Sequence, residues 1–203
     1  MSTATEEQGE ETVHPNRGRP RDEDARKRIL DAALEMLEEF GFANTTADRI
    51  AERAGTGKAT LYRWWPNKTA VMIEAFREAV AQEFPLPETG DLYEDIRLQL
   101  RNFVKLLSGR RGRIFKAFLI AAQNDPELAE AFQTLWRKPW RRAAKLGLER
   151  HGRKVLRETI DLDAVLDVMY GPVYYRLLIG GNALSADYTD TLTDIIVTGI
   201  LKR

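Results

Sequence analysis

Two short helical patterns separated by glycines occupy residues 44–68. The first follows residues 44–46, Asn-Thr-Thr, whose side-chain oxygens can cap a helix, and it stops before Gly55, which can adopt the left-handed conformation that ends a helix. The second restarts after Gly57 and ends before Pro66, because proline has no backbone donor. Helices of about two turns bury too little surface to be stable alone, so this stretch must pack against another element.

That element lies immediately upstream, from about Glu23 to Phe40. Apolar side chains recur there at helical spacing, and Gly41 follows as a stop signal: Ile29, Leu30, Ala33, Leu34, Leu37 and Phe40. We therefore predict a three-helix head, with Leu61 and Trp65 in its core, whose last two helices form a helix-turn-helix. This arrangement places a recognition helix in the major groove of duplex DNA.

Four colinear motifs make the comparison specific: Gly-Phe-x-x-Thr-Thr at 41–46, Ile-Ala-x-x-Ala-Gly at 50–55, Leu-Tyr-x-x-Trp at 61–65 and Asn-Lys at 67–68. Over roughly residues 22–76 the chain resembles the N-terminal domain of the tetracycline-repressor (TetR) family of bacterial transcription regulators. It departs from the common family pattern at Gly57, Ala59 and Trp64, where the family often has serine, glycine, and histidine or another polar residue.

The resemblance implies base-reading contacts at the start of the recognition helix. Lys58 can donate to guanine, and Thr60 offers a hydroxyl and a methyl group to base edges. Arg63 could contact bases or phosphates. The partner implied is double-stranded DNA.

Other positions resemble the family's contacts to the DNA backbone, which fix register rather than sequence. These are Thr46, Tyr62 and Lys68, and Trp64 is added to the predicted DNA-binding set. The alternative is that Tyr62 and Trp64 pack inside the head while Lys58 and Lys68 are only solvated. For the lysines and Tyr62 we favour DNA contact.

The N-terminal residues 1–21 are predicted to form a disordered acidic tail followed by a basic arm. Residues 1–16 carry four glutamates and few apolar groups, so they cannot bury enough surface to fold. Arg19 and Arg21 belong to the basic run that begins at Arg17 and can reach into an adjacent minor groove. A solvated linker is an equally good interpretation of this run.

Downstream, the chain predicts further helices and no convincing strand, so the fold class is all-α. A connecting helix at 69–84 leads from the head, residues 22–68, into a helical regulatory and dimerisation domain, residues 69–203. Candidate helices there are 91–108, 111–123, 126–151, 161–179 and 186–201, with proline kinks at Pro139 and Pro172. The Gly-Pro-Val-Tyr-Tyr segment that includes Pro172 also resembles a C-terminal domain type common in the TetR family.

In that family the C-terminal domain binds a small molecule and forms the homodimer. Aromatic side chains on several predicted helices are candidate ligand contacts, although such stripes are more often simply core: Phe103, Phe118, Trp136, Tyr170 and Tyr174. The apolar helices within 161–201 are the predicted dimer face, forming a four-helix contact about a two-fold axis.

Composition limits the other classes of function. Thirty-one basic residues balance 31 acidic ones, so DNA binding must come from a local surface. The Lys/Arg-rich run at 137–157 is interpreted mainly as a solvated face that meets acidic helices, and only secondarily as another nucleic-acid surface. There is no cysteine, no membrane-length apolar run and no catalytic or metal-ligand set, which predicts a cytoplasmic protein without a cofactor that is not an enzyme.

The combined interpretation is a homodimeric transcriptional regulator. We expect a repressor that binds a palindromic operator and is released by a small-molecule ligand. Two alternatives stay open: a constitutive DNA-binding dimer without an effector, and a small-molecule-binding helical protein or enzyme with a vestigial head.

Overall fold

The structure, a computed structural model, describes residues 19–151, 155–181 and 183–201, and for residues 19–22 it describes the backbone only. The regular secondary structure of the described residues is helical, apart from an isolated bridge between Leu156 and Leu201, which confirms the all-α class. The helices are α1 Arg19–Asn44, α2 Ala47–Arg53, α3 Lys58–Trp64, α4 Lys68–Glu83, α5 Leu92–Ser108, α6 Arg110–Ala122, α7 Pro126–Phe132, α8 Lys138–Arg150, α9 Leu162–Tyr175 and α10 Ala186–Ile200. Within this part of the chain no helix is both long and apolar enough to cross a membrane.

Helix α1 is longer than the prediction from Glu23 to Phe40. It begins at Arg19, so residues 19–21 of the predicted basic arm are helical. Pro20 near the helix start and the acidic residues that follow it favour this earlier beginning. Gly41 interrupts the helix with φ 73°, as its position as a stop signal predicts. The chain then continues in helical turns to Asn44.

The head is completed by α2 and α3, which pack against α1 and against each other. Ile29 of α1 and Leu61 of α3 are fully buried, and Trp65 is nearly so, which confirms the predicted core positions. Helix α4 begins at Lys68 with Asn67 as its cap, since Ala70 N donates to Asn67 Oδ1 at 2.9 Å. The hydrophobic core continues through α4 into the following helices without interruption.

Helices α5 and α6 form a close hairpin. A Cβ atom built on Gly112 would lie 1.9 Å from the carbonyl oxygen of Leu107, so only glycine allows this approach. The tight turn directs the neighbouring Arg111, which is 5% exposed, into the interior. There its guanidinium pairs with Glu38 of α1 and, at 2.6 Å, with Glu83 at the end of α4.

Irregular helix lies close to both prolines at which kinks were predicted. The single helix predicted at 126–151 is divided into α7, a π-helical segment Gln133–Arg137 and α8, with Pro139 two residues after the π segment. Helix α9 continues through Pro172 to Tyr175, and the π segment Arg176–Gly180 follows. Because proline cannot donate to the carbonyl four residues earlier, the ladder is more easily rearranged at these points.

The basic run within 137–157 meets acidic side chains of α9, as its ordinary interpretation predicts. Arg141 pairs with Asp167 at 2.5 Å and with Asp163 at 3.2 Å, and Lys145 pairs with Asp163 at 2.8 Å. These contacts lower the pKa of the Asp163 carboxyl, mainly through the hydrogen bond from Lys145. The cations on this face of α8 therefore fasten α8 to α9.

Candidate nucleic-acid interface and aromatic interior

The turn between α2 and α3 is held by three local interactions. Thr46 is the cap of α2, since Arg49 N donates to Thr46 Oγ1 at 3.3 Å. Gly55 takes the left-handed conformation with φ 63°, as the sequence predicts. Arg28 of α1 donates from Nε to the carbonyl of Ala54 at 3.2 Å. These contacts fix the angle at which α3 leaves the head.

The predicted base-reading residues lie at the beginning of α3. Lys58 is exposed, and its Nζ lies 2.9 Å from Asp48 Oδ1 on α2. The hydrogen bond and charge of Asp48 raise the pKa of Lys58, so this lysine is fully protonated. Thr60 is half-buried and Arg63 is exposed. The sequence indicated the lysine but not its carboxylate partner, which lies ten residues away in another helix.

Tyr62 and Trp64 differ in their surroundings. Tyr62 is 45% exposed on the outer side of α3, so the alternative in which it packs inside the head is not seen. Trp64 is half-buried beside Trp65, with ring centroids 6.3 Å apart. The buried Nε1 of Trp64 has no hydrogen-bond partner among the described residues. Most of this indole therefore packs against the head, and its DNA contact stays a prediction.

Thr46 and Lys68 are brought close together although they are far apart in the sequence. Lys68 Nζ donates to the carbonyl of Thr45 at 3.1 Å and lies 5.7 Å from the ring centre of Phe42. Thr46, next to that carbonyl, is exposed. Thr45 itself is buried and donates to the carbonyl of Gly41 at 2.7 Å. One exposed and one half-buried polar group thus flank the start of α2.

The remaining predicted DNA contacts belong to the basic arm. Arg19 and Arg21 lie in the first turn of α1, and their side chains are outside the described part of the structure. Arg17 also lies outside the described residues. Contact of this arm with a minor groove stays a prediction.

The five candidate ligand residues all lie in one cluster of aromatic rings. Phe103 contacts Tyr170 and Tyr174, with ring centroids 5.0 and 5.5 Å apart. Phe115 lies between two of them, with its ring centroid 6.0 Å from that of Tyr174 and 5.7 Å from that of Trp136. We call this set, together with Phe76, Phe118, Phe132 and Trp140, the aromatic interior.

The aromatic interior reaches the DNA-binding head through two rings. Phe42, at the end of α1, lies edge-on to Phe118 with centroids 5.3 Å apart. Phe76 of α4 contacts Phe118 at 5.8 Å and Trp136 at 5.0 Å. Phe42 is also the ring beside Lys68. Phe118 is therefore connected through Phe42 to Lys68, a side chain that is predicted to contact phosphate.

A polar group lies within these rings. Tyr170 Oη accepts hydrogen bonds from Gln99 Nε2 and, at 3.3 Å, from Trp140 Nε1. Burial raises the pKa of Tyr170 to about 12. Gln99 and Trp140 were not predicted from the sequence, although both were detectable. Gln99 interrupts the apolar stripe of α5, and Trp140 follows Trp136 by one helical turn.

No three His, Asp or Glu side chains in the described ranges are close enough together to hold a metal ion. His151 is paired with Asp95, with His151 Nε2 and Asp95 Oδ2 2.9 Å apart. This pair lies near the loop between α4 and α5, because Asp95 also accepts from Thr89 N at 2.7 Å. It contributes to holding that loop.

The head has three helices, of which α2 is short and capped and α3 is exposed and carries cations, and a left-handed glycine lies in the turn between α2 and α3. This arrangement defines a helix-turn-helix DNA-binding protein. Comparison with known proteins gives the family. Residues 29–75 match the family model "Bacterial regulatory proteins, tetR family", and residues 86–196 match "Tetracyclin repressor-like, C-terminal domain". The chain belongs to the TetR family and is a DNA-binding transcriptional regulator.

Individual relatives agree with this assignment. The chain is 42% identical to the HTH-type transcriptional regulator YdeS of Bacillus subtilis (strain 168), over 89% of this chain and 91% of YdeS. It is 26% identical to the regulator Mb1581 of Mycobacterium bovis, over 86% and 87%. The crystal structure of the TetR family regulator SCO0332 superposes with a TM-score of 0.77 at 33% identity, covering 87% of this chain and 98% of that one.

Proposed function

We propose that this regulator acts as a homodimeric repressor on a palindromic operator and that a small molecule bound in the aromatic interior releases it. The observation that carries the proposal is the continuous ring contact between the predicted ligand residues and the head, through Phe118 and Phe42. We also propose the division into a DNA-binding head at residues 22–68 and a regulatory domain at residues 69–203.

The proposed dimer face is the outer surface of α9 and α10. Val168 is 51% exposed and Ile195 is 62% exposed, although both are large and apolar. Between them lies a shallow groove of about 260 Å³, whose walls include the small residues Ala164 and Gly199. A second copy of these two helices would cover the exposed groups and form a four-helix contact about a two-fold axis.

Dimerisation accounts for specific recognition by a chain with no net charge. Two recognition helices related by a two-fold axis reach successive major grooves when they are about 34–36 Å apart, so the operator should be palindromic. Within each head, Lys58 and Thr60 are the proposed base readers. Thr46, Tyr62 and Lys68 are the proposed phosphate contacts, and Arg63 is able to serve either purpose.

Ligand release requires that the effector bind more tightly to a conformation that does not fit DNA. The shift in operator affinity cannot exceed the ligand's differential affinity for the two conformations. Contacts from Phe118 to Phe42 and from Phe76 to Trp136 give a ligand among these rings direct access to α1 and α4. We therefore propose that the effector acts by displacing these rings.

The dimer is tested by placing a charge on the proposed face. Ile195→Glu should convert the dimer to a monomer in light scattering and should weaken operator binding, because a monomer reaches only one half-site. Ile120→Glu is the matched control, because Ile120 is similarly exposed, at 54%, but lies on α6. An Ile195→Glu protein that stays dimeric, or footprints that protect only a single half-site in the parent protein, would contradict the proposed assembly.

The division between base readers and phosphate contacts is tested by selecting bound sequences from a random DNA pool. Lys58→Ala should change the preferred base at one position of each half-site, since a good base contact discriminates by roughly 1–3 kcal/mol. Lys68→Ala should keep the preference and reduce the slope of log affinity against log salt by about 0.9 for each lost phosphate contact. Identical effects of the two substitutions would refute this division.

A constitutive dimer without an effector is the second candidate, and one observation favours it. The rings of the aromatic interior already lie 5.0–6.3 Å apart, so they fill the space in which a ligand would bind. A compound that changes operator affinity in the parent protein would decide for the ligand-released repressor. Compounds that bind to the protein without changing operator affinity would favour the constitutive dimer.

A further inference from the structure

The hydrogen bonds within the aromatic interior leave hydroxyl donors without an acceptor. Tyr170 Oη accepts from both Gln99 and Trp140, which occupies its two lone pairs and leaves its own O–H proton unused. Exchanging the amide oxygen and nitrogen of Gln99 would let Tyr170 donate to the amide oxygen, but the N–H groups of Gln99 would then lose their acceptor. In either orientation at least one donor remains.

Tyr174 adds a further donor one helical turn from Tyr170. Among the described residues the Tyr174 hydroxyl has no hydrogen-bond partner. Burial raises the pKa of Tyr174, and the neighbouring Tyr170 raises it further. The pKa of Tyr170 is raised as well. Both phenols consequently stay protonated at any physiological pH, so each has an O–H group that can donate to a bound molecule.

The charges around this cluster disfavour an anionic ligand. Arg141, a cation on the α8 side, is engaged by Asp163 and Asp167, whereas Arg137 donates to the neutral Gln133 and keeps its charge. Burial nevertheless raises the pKa of both phenols against the opposing effect of Arg141 and, at Tyr174, of Arg137, so a negative charge is disfavoured within this cluster. A buried carboxylate needs an available cation, because removing it from water costs several kcal/mol. A neutral oxygen acceptor needs only the unused hydroxyl donors.

The shape of the site suits a planar molecule. Phe115 is stacked on Tyr174 with an interplanar angle of 14°, and Trp136 is stacked on Trp140 at 9° with centroids 5.7 Å apart. An inserted ring needs about 3.5–4.0 Å on each side, so the two indole planes would have to lie roughly 7–8 Å apart, farther than the 5.7 Å that separates their centroids. They are carried by the π segment Gln133–Arg137 and by the turn after Pro139, where the helical ladder is already irregular.

We propose that the effector of this regulator is an uncharged planar aromatic compound whose ketone or ether oxygen accepts hydrogen bonds from Tyr170 and Tyr174. This assignment rests on the proposed function, because it names the class of ligand for the same aromatic interior. It excludes fatty acids and aromatic carboxylates as the preferred class.

The experiment measures binding of three matched probes to the full-length protein by calorimetry: acetylnaphthalene, which has a ketone, ethylnaphthalene, which has none, and naphthoate, which is anionic. Acetylnaphthalene should bind roughly ten-fold more tightly than ethylnaphthalene, the usual effect of one satisfied hydrogen bond. Naphthoate should bind more weakly than the ketone. Tyr170→Phe and Tyr174→Phe keep the rings and should each reduce the preference for the ketone. Tyr175→Phe, at the exposed neighbouring tyrosine, is the control and should not.

Three results would overturn the assignment: no binding of acetylnaphthalene, equal binding of the ketone and the hydrocarbon, or tightest binding of naphthoate. Operator affinity, measured separately with each probe, distinguishes this failure from failure of the proposed function. A ketone that binds with the expected preference but leaves operator affinity unchanged refutes ligand release and keeps the ligand class. A carboxylate that binds and releases the operator refutes the ligand class and keeps ligand release.

Discussion

Replacement of Gly112 by alanine should damage the hairpin between α5 and α6. The added Cβ would lie 1.9 Å from the carbonyl oxygen of Leu107, whereas real Cβ contacts are essentially never shorter than 3.0 Å. The clashing atoms are backbone, so no side-chain rotation relieves them, and the helices must separate by more than about 1 Å. Overpacking of this kind costs roughly 2–3 kcal/mol. For a chain of this size the melting temperature should fall by roughly 4–12 °C.

The assay is thermal unfolding followed by circular dichroism, with Gly147→Ala as the control. Gly147 lies inside α8, and the nearest atom to an added Cβ is the flexible end of Arg150 at 3.5 Å. Its replacement should raise stability by about 0.5–1 kcal/mol, because glycine is a poor helix residue. If Gly112→Ala melts at the parent temperature, the close approach is not a constraint on the fold and the argument fails.

Three further results are expected. Arg111→Met leaves the carboxylates of Glu38 and Glu83 without their shared cation. Because both carboxylates are partly exposed, the free energy of unfolding measured by urea titration should fall by roughly 1–3 kcal/mol, less than for a fully buried pair. An unchanged urea midpoint would contradict this. Asp48→Asn releases Lys58 and should raise affinity for random-sequence duplex a few-fold in fluorescence anisotropy, whereas unchanged affinity would show that the pair does not restrain non-specific binding. Burial alone would raise the pKa of Asp95, but hydrogen bonds from Thr89 and His151 outweigh burial and hold this pKa below the usual value of 3.8. The contribution of the Asp95 carboxylate to stability is therefore present above the unfolded pKa and is lost as pH falls through the lower folded pKa. Asp95→Asn should therefore flatten the acid side of a plot of melting temperature against pH, and an unaltered acid side would refute this assignment.

Local signals in the sequence were sufficient to predict the position of most helices. Caps, glycines and apolar spacing predicted α5, α6 and α10 to within one residue at each end, because these signals act over one or two turns. The early start of α1 was missed because the basic composition of residues 17–21 was taken as evidence for a flexible arm. The π segments were not predicted, because periodicity does not distinguish them from a proline kink.

The contacts between helices could not be predicted in the same way. Nothing in the sequence shows that Lys58 faces Asp48, or that Arg111 meets carboxylates of two other helices, because each pairing depends on the packing of distant elements. The aromatic residues predicted as ligand contacts lie in one cluster, and their role in ligand binding stays a prediction. Their hydrogen-bond partners Gln99 and Trp140 required the structure.

The ion pairs at the two ends of α1 and α4 limit how the head can move. Near one end Arg26 engages Glu74 and Glu78, and at the other Arg111 joins Glu38 to Glu83. Because ion pairs hold the two helices together at both places, they should not slide past each other, and α4 should move with the head as one rigid unit. Because Arg111 belongs to α6, which follows the proline-containing link of residues 84–91, the same ion pairs also hold the head to α6. A bend at that link that changes the separation of two heads would therefore have to break the contacts of Arg111 with Glu38 and Glu83.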